Sequence, residues 1–117
     1  MDYESLQPYI LPVLVVTYFA WRTLKFRQTR KQIPEMMKSG SIVVDVRTPG
    51  EYQAGSRPGS INIPLGELDR RASELDKTRP IILCCASGTR SGMALAILRK
   101  NGFKNVINAG PWTNTLE

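Results

Sequence analysis

The chain has 117 residues and carries 16 Lys and Arg against 10 Asp and Glu, a net charge of +6. That length leaves room for one small domain and little else. Histidine is absent and the two cysteines, Cys84 and Cys85, are adjacent, which excludes Ser-His-Asp and Cys-His catalysis, a zinc cluster and a framework of spaced disulfides.

Residues 1–7 are slightly acidic, and residues 8–21 then run for 14 positions without a charge. A spanning helix needs about 20 apolar residues, within a range of roughly 17–25. The run reaches that range if Leu6, Leu24 and Phe26 are added and Arg22 and Lys25 snorkel. Tyr9, Tyr18 and Trp21 suit interfacial aromatic belts. The acidic start and the lack of a small-residue cleavage site argue against a signal peptide. The expectation is an N-terminal hydrophobic, transmembrane helix. The alternative is a buried core helix, kinked in its first part by Pro12. Arg22, Lys25, Arg27, Arg30 and Lys31 follow without an acid, and the positive-inside rule then places the protein as single-pass, with its domain on the cytoplasmic side. No nucleic-acid-binding module accompanies these charges, so no nucleic acid partner is expected. Residues 1–31 are thus assigned to an anchor and basic juxtamembrane linker, and residues 32–117 to a domain.

Within that domain, residues 33–38 form a short helix stopped by Ser39-Gly40. The β-branched run 41–47 predicts a buried strand, and Pro49 starts a short helix through Glu51 and Tyr52. Residues 61–63 predict a short strand closed by Pro64, and 66–75 a helix with Leu68, Ala72 and Leu75 on one face. A strand over 81–84, a helix ending at Asn101 before Gly102, and a last strand over 103–108 complete the chain. Alternating strands and helices predict an α/β fold, a mainly parallel sheet covered on both faces.

The chemistry concentrates in Cys85-Ala86-Ser87-Gly88-Thr89-Arg90, a loop of small residues between a strand and a helix. Amides at a helix N-terminus and in a tight loop bind anions and lower a thiol pKa. Arg90 adds a permanent cation, and Gly88 lets the backbone turn close to a ligand. This points to a nucleophilic Cys85 thiolate handling an anionic substrate. Adjacent strand residues face opposite ways, so Cys84 is read as a core residue. Asp45 is expected to brace the loop, and Arg47 either to pair structurally or to contact an anion. No metal site or cofactor is indicated.

In order, Asp45-Val46-Arg47 with Glu51-Tyr52, Pro58 to Pro64, Cys85 to Ser91, and Asn108-Ala109-Gly110 with Trp112 resemble the rhodanese, or thiosulfate sulfurtransferase, family over residues 32–112. The resemblance implies a central parallel sheet flanked by helices, with Cys85 as the sulfur-carrying nucleophile. A small anionic donor such as thiosulfate leaves sulfur on Cys85 as a persulfide, held by the amides of Ala86, Ser87, Gly88, Thr89 and Arg90. The sulfur then passes to a thiophilic acceptor such as cyanide or a protein thiol, with Asp45, Arg47 and Ser91 in support. The family's usual His-Ile-Pro-Gly-Ala segment before the second strand is Ser56-Arg57-Pro58-Gly59-Ser60 here. Two alternatives stand. One is a Cys-dependent phosphatase or arsenate reductase, since Cys84 to Arg90 has that spacing; the other is a membrane-anchored, non-catalytic carrier or scaffold.

Overall fold

The computed structural model describes residues 3–116. Its β-branched runs become four strands: β1 (Ile42–Asp45), β2 (Ile61–Asn62), β3 (Ile81–Cys85) and β4 (Val106–Pro111). All pair in parallel, in the order β2-β1-β3-β4. The helices are α1 (Tyr3–Lys38), α2 (Pro49–Ala54), α3 (Leu65–Arg71) and α4 (Thr89–Lys100).

A parallel sheet must be covered on both faces, and the period of two sorts the side chains accordingly. Val44, Leu83 and Cys85 face a core closed by Leu68 of α3 and by Ala94 and Leu98 of α4. Val43, Ile82 and Cys84 face the opposite core, closed by Ile33 near the end of α1, with Met36, Met37 and Trp112 packed against it. Full burial of one side chain such as Leu98 stabilises the fold by about 1.5–3 kcal/mol.

Local signals set the element ends. Thr48 and Glu51 form a reciprocal capping box at the start of α2, with Pro49 in its first turn. Gly102, with φ +89°, follows the end of α4. The helix expected over 66–75 stops at Arg71 and continues as a 3-10 turn, Ala72–Glu74. β4 starts at Val106, three residues later than the pattern predicts, because Phe103 is buried in the core before the strand begins. The register between β3 and β4 then slips by one: Leu83 faces Asn108, but Cys84 faces Gly110. Ala109 is the extra residue of a β-bulge.

The N-terminus differs most from expectation. The basic linker and the short helix expected over 33–38 are both parts of α1, a single helix that continues past Pro8, Pro12 and Pro34. Lys, Arg and Gln are strong helix formers, so the basic stretch extends the helix. The transmembrane reading is not supported: among the described residues no helix is long and apolar enough to cross a membrane. The uncharged run of 14 residues rises only about 21 Å, against a hydrocarbon core of about 30 Å. Gln7 on one side and Arg22 on the other end its apolar character. The membrane partner, and the orientation drawn from the positive charges, rested on that span. The core-helix alternative for residues 8–21 does not hold either, since Leu11, Val16 and Phe19 are exposed; α1 meets the core only later, at Ile33. Residues 1 and 2 of the expected anchor lie outside the described residues.

Candidate active site

β3 lies between β1 and β4 and delivers Cys85 at its C-terminal end, where open α/β sheets place their ligand sites. The chain then turns through Ala86 and Ser87 to Gly88, the N-cap of α4, whose φ of +103° favours glycine. This turn brings the Gly88 amide back onto the cysteine, donating to Sγ at 2.8 Å. The Ser91 hydroxyl, in the first turn of α4, lies 3.3 Å from the same sulfur. Cys85 is fully buried as a residue. Burial pushes its pKa up, but the Ser91 side chain and the amides of Ser91, Gly88 and Ser87 outweigh this and hold it below the ordinary thiol value. A sulfur so placed ionises more readily than an ordinary thiol, without any imidazole.

Cys84 has the opposite environment. It faces the other core, and burial, with the charge of Asp45 adding to it, pushes its pKa up to about 12. A thiol on that face is not presented to the loop. The phosphatase-type count from Cys84 to Arg90 therefore does not describe this site, whereas the six-residue loop from Cys85 does.

Arg90 leaves the first turn of α4 and grips Glu51 of α2 through two parallel bonds, Nη1–Oε1 at 2.6 Å and Nη2–Oε2 at 2.9 Å. Glu51 is also the capping-box residue of α2 and accepts from the Thr48 amide at 3.2 Å. The Arg90 bond, with help from Thr48, lowers the Glu51 pKa to about 2. The arginine thus clasps the loop to α2, and its charge is largely matched.

Asp45 and Arg47 are both buried and form a bidentate pair. Arg47 Nη2 donates to Asp45 Oδ2 at 2.7 Å, and Nε donates to Oδ1 and Oδ2 at 2.9 and 3.0 Å. Nη2 also donates to the Gly55 carbonyl at 2.7 Å, and the guanidinium lies 5.0 Å from the centre of the Trp112 ring. The bond to Asp45 raises the Arg47 pKa against the opposing effect of burial. Of the expected loop residues, Ala86, Ser87 and Thr89 are exposed and Gly88 is buried.

The structure thus brings Cys85, Gly88 and Ser91 together and ties Arg90 to Glu51, while the Asp45 carboxylate, expected to brace the loop, accepts its hydrogen bonds from Arg47. Sequence reasoning does not single out Glu51 or Asn108 as site residues. The Thr48-x-x-Glu51 capping signature marks the first. Asn108 reaches Ser91 and Gly88 from β4; the Asn108-Ala109-Gly110 segment of the resemblance marks it but assigns it no role. Among the described residues, no group of three or more Cys, Asp and Glu side chains is placed to hold a metal ion.

The chain is similar to several known proteins. The chain is 44% identical over 79 residues to YrkF of Bacillus subtilis, whose name gives it provisionally as a sulfur carrier protein; the match covers 64% of this chain and 43% of YrkF. It is 41% identical over 69 residues to thiosulfate sulfurtransferase PspE of Escherichia coli, covering 57% of this chain and 66% of PspE. The chain thus spans less than two thirds of either relative. A crystal structure of a rhodanese-related protein from Thermoplasma volcanium superposes with a TM-score of 0.65 at 32% identity, over 74% of this chain and 86% of that one. Residues 29–109 match the rhodanese-like domain, and the chain belongs to that family.

Proposed function

We propose that this protein is a sulfurtransferase that moves sulfane sulfur through a Cys85 persulfide. The observation that carries this is the Gly88 amide 2.8 Å from a buried Cys85 sulfur whose pKa is held below the ordinary thiol value. The Cys85 thiolate attacks the outer sulfur of thiosulfate. A new S–S bond forms to Cys85, the bond to the sulfonate sulfur breaks, and sulfite leaves with the electron pair. The persulfide keeps one negative charge, which the loop amides and the N-terminus of α4 stabilise as they would an oxyanion. A thiophile such as cyanide then takes the outer sulfur as thiocyanate and regenerates the thiolate.

The name of YrkF favours a second version of the same chemistry, in which a protein thiol is the acceptor and the domain acts as a carrier. The two share the persulfide and differ in where it goes.

The test is the intact mass of the protein before and after thiosulfate. The expected result is a gain of one sulfur, lost on adding cyanide and absent in Cys85→Ser. Equal loading of Cys85→Ser would overturn the assignment. Loading without turnover by cyanide, together with transfer to a protein thiol, would select the carrier version.

A further inference from the structure

The Asn108 amide is oriented by two backbone groups of fixed polarity. Its Oδ1 accepts from the Gly110 amide at 2.9 Å, and its Nδ2 donates to the Gly88 carbonyl at 3.1 Å. The oxygen is therefore the atom that meets Ser91, at 2.6 Å from Oγ. An amide oxygen only accepts, and a serine hydroxyl has one proton to give. That proton is directed at Asn108, which leaves a Ser91 lone pair facing the Cys85 sulfur at 3.3 Å. In this arrangement Ser91 accepts from a thiol. It can donate to a thiolate only by turning its proton away from Asn108.

We propose that Asn108 is a positioning residue: its Oδ1 competes with the Cys85 sulfur for the single hydroxyl proton of Ser91, and so sets how readily Cys85 carries negative charge. Ser91 is fully buried, so water does not replace either partner cheaply. When sulfur becomes anionic, Ser91 rotates onto it. Asn108 Oδ1 then retains the Gly110 amide and is not left unsatisfied. The proton thus has two satisfied resting places, one for the neutral thiol and one for the charged thiolate or persulfide. The other charged or titratable groups around Cys85 are Arg90 on α4, matched by Glu51 on α2, and the buried pair of Asp45, at the end of β1, with Arg47, and Cys84 beside it in β3. None of these touches the Ser91 proton.

The inference rests on Cys85 being the reacting thiol, as proposed above, but its test needs no sulfur transfer. The pH dependence of Cys85 alkylation by iodoacetamide, read by peptide mass, would be measured in a double-mutant cycle of Asn108→Ala and Ser91→Ala. A hydrogen bond to a charged group corresponds to about a tenfold change in an ionisation equilibrium. Asn108→Ala should therefore raise the thiolate fraction about tenfold at a pH below the midpoint when Ser91 is present. It should leave that fraction unchanged in the Ser91→Ala background. Equal shifts in both backgrounds, or no shift in either, would overturn the proposal, because a merely structural role of Asn108 acts regardless of Ser91. Should Asn108→Ala not fold, Asn108→Asp serves in the same cycle. Its stronger acceptor should lower the thiolate fraction further with Ser91 present than in Ser91→Ala, and an equal fall in both would count against the proposal. If the cycle behaves as expected but thiosulfate never loads Cys85, only the sulfur-transfer reading fails.

Discussion

Replacing Asp45 by alanine tests whether this buried carboxylate braces the site or takes part in its chemistry. The Asp45 side chain is 1% exposed and that of its partner Arg47 6%. Four hydrogen bonds join them, one of them from the Arg47 backbone amide. Removing one member of such a pair leaves the other charge buried and unmatched, a loss of about 3–5 kcal/mol. Small domains have about 5–15 kcal/mol in all, so Asp45→Ala should sit near the edge of folding. At this size the loss corresponds to a fall in Tm of about 10–20 °C. Asp45→Asn keeps the shape and one acceptor oxygen, and should lose about 2 kcal/mol. A double replacement, Asp45→Leu with Arg47→Met, should recover part of the loss by removing both charges. Recovery stays partial because Arg47 also bonds the Gly55 carbonyl and lies over Trp112. Urea denaturation followed by circular dichroism gives the stabilities, and thiosulfate loading per folded molecule gives the chemistry. A loss below about 1 kcal/mol would refute the argument from the buried pair. Loading that falls further than the folded fraction explains would move Asp45 from brace to participant.

Cys84→Ala should keep sulfur loading and cost about 1 kcal/mol of stability as a small core truncation; loss of loading, measured by intact mass, would place the chemistry on the wrong cysteine. Because the loop holds the Cys85 pKa below the ordinary thiol value, alkylation should rise with pH to a plateau. Its midpoint should fall below the value of about 8.5 for a free cysteine. By the same sign, the stability this ionisation contributes is present above the ordinary thiol pKa and is lost as pH falls through the lowered one. The Glu51–Arg90 clasp, with Glu51 depressed to about 2, contributes fully above the ordinary carboxylate range and is lost only as pH approaches 2. Glu51→Gln should therefore slow loading at every pH from 5 to 9, by about ten- to a hundredfold if the loop is displaced. A defect confined to the acid side, seen in a pH–rate profile, would show that the clasp is not what positions the loop.

Much of the site is legible in sequence where the determinants are local. The alternation along Ile82-Leu83-Cys84-Cys85 is enough to send the two thiols to opposite faces, and Gly88 before a helical run marks the turn that folds back onto sulfur. What is not legible depends on distant partners. Arg90 meets Glu51 across 39 positions, and the fork of each is satisfied only once the first turns of α2 and α4 are brought together. Asn108 reaches Ser91 from a strand whose start was hidden by Phe103, an apolar residue that joins the core rather than the ladder. The prolines of α1 invite a broken helix, yet the good helix formers around them carry it through.

The bulge at Ala109 makes the site sensitive to chain length in one place and tolerant in others. An added or deleted residue at the exposed Lys77-Thr78 would be absorbed at the surface, before the paired register begins at Ile81. Deleting Ala109 would instead straighten β4: Gly110 and Pro111 would keep their places opposite Cys84 and Cys85, but the kink that lets the chain fold back on Asn108 would be gone. The Gly110 amide, now next to Asn108 in the chain, would leave its bond to Oδ1, and one of the two contacts that orient the Asn108 amide would be lost. A single-codon deletion there would reach Cys85 through its neighbours without altering any residue that touches the sulfur. Variation in length, as much as in residue identity, is thus a route by which such a domain gains or loses its chemistry.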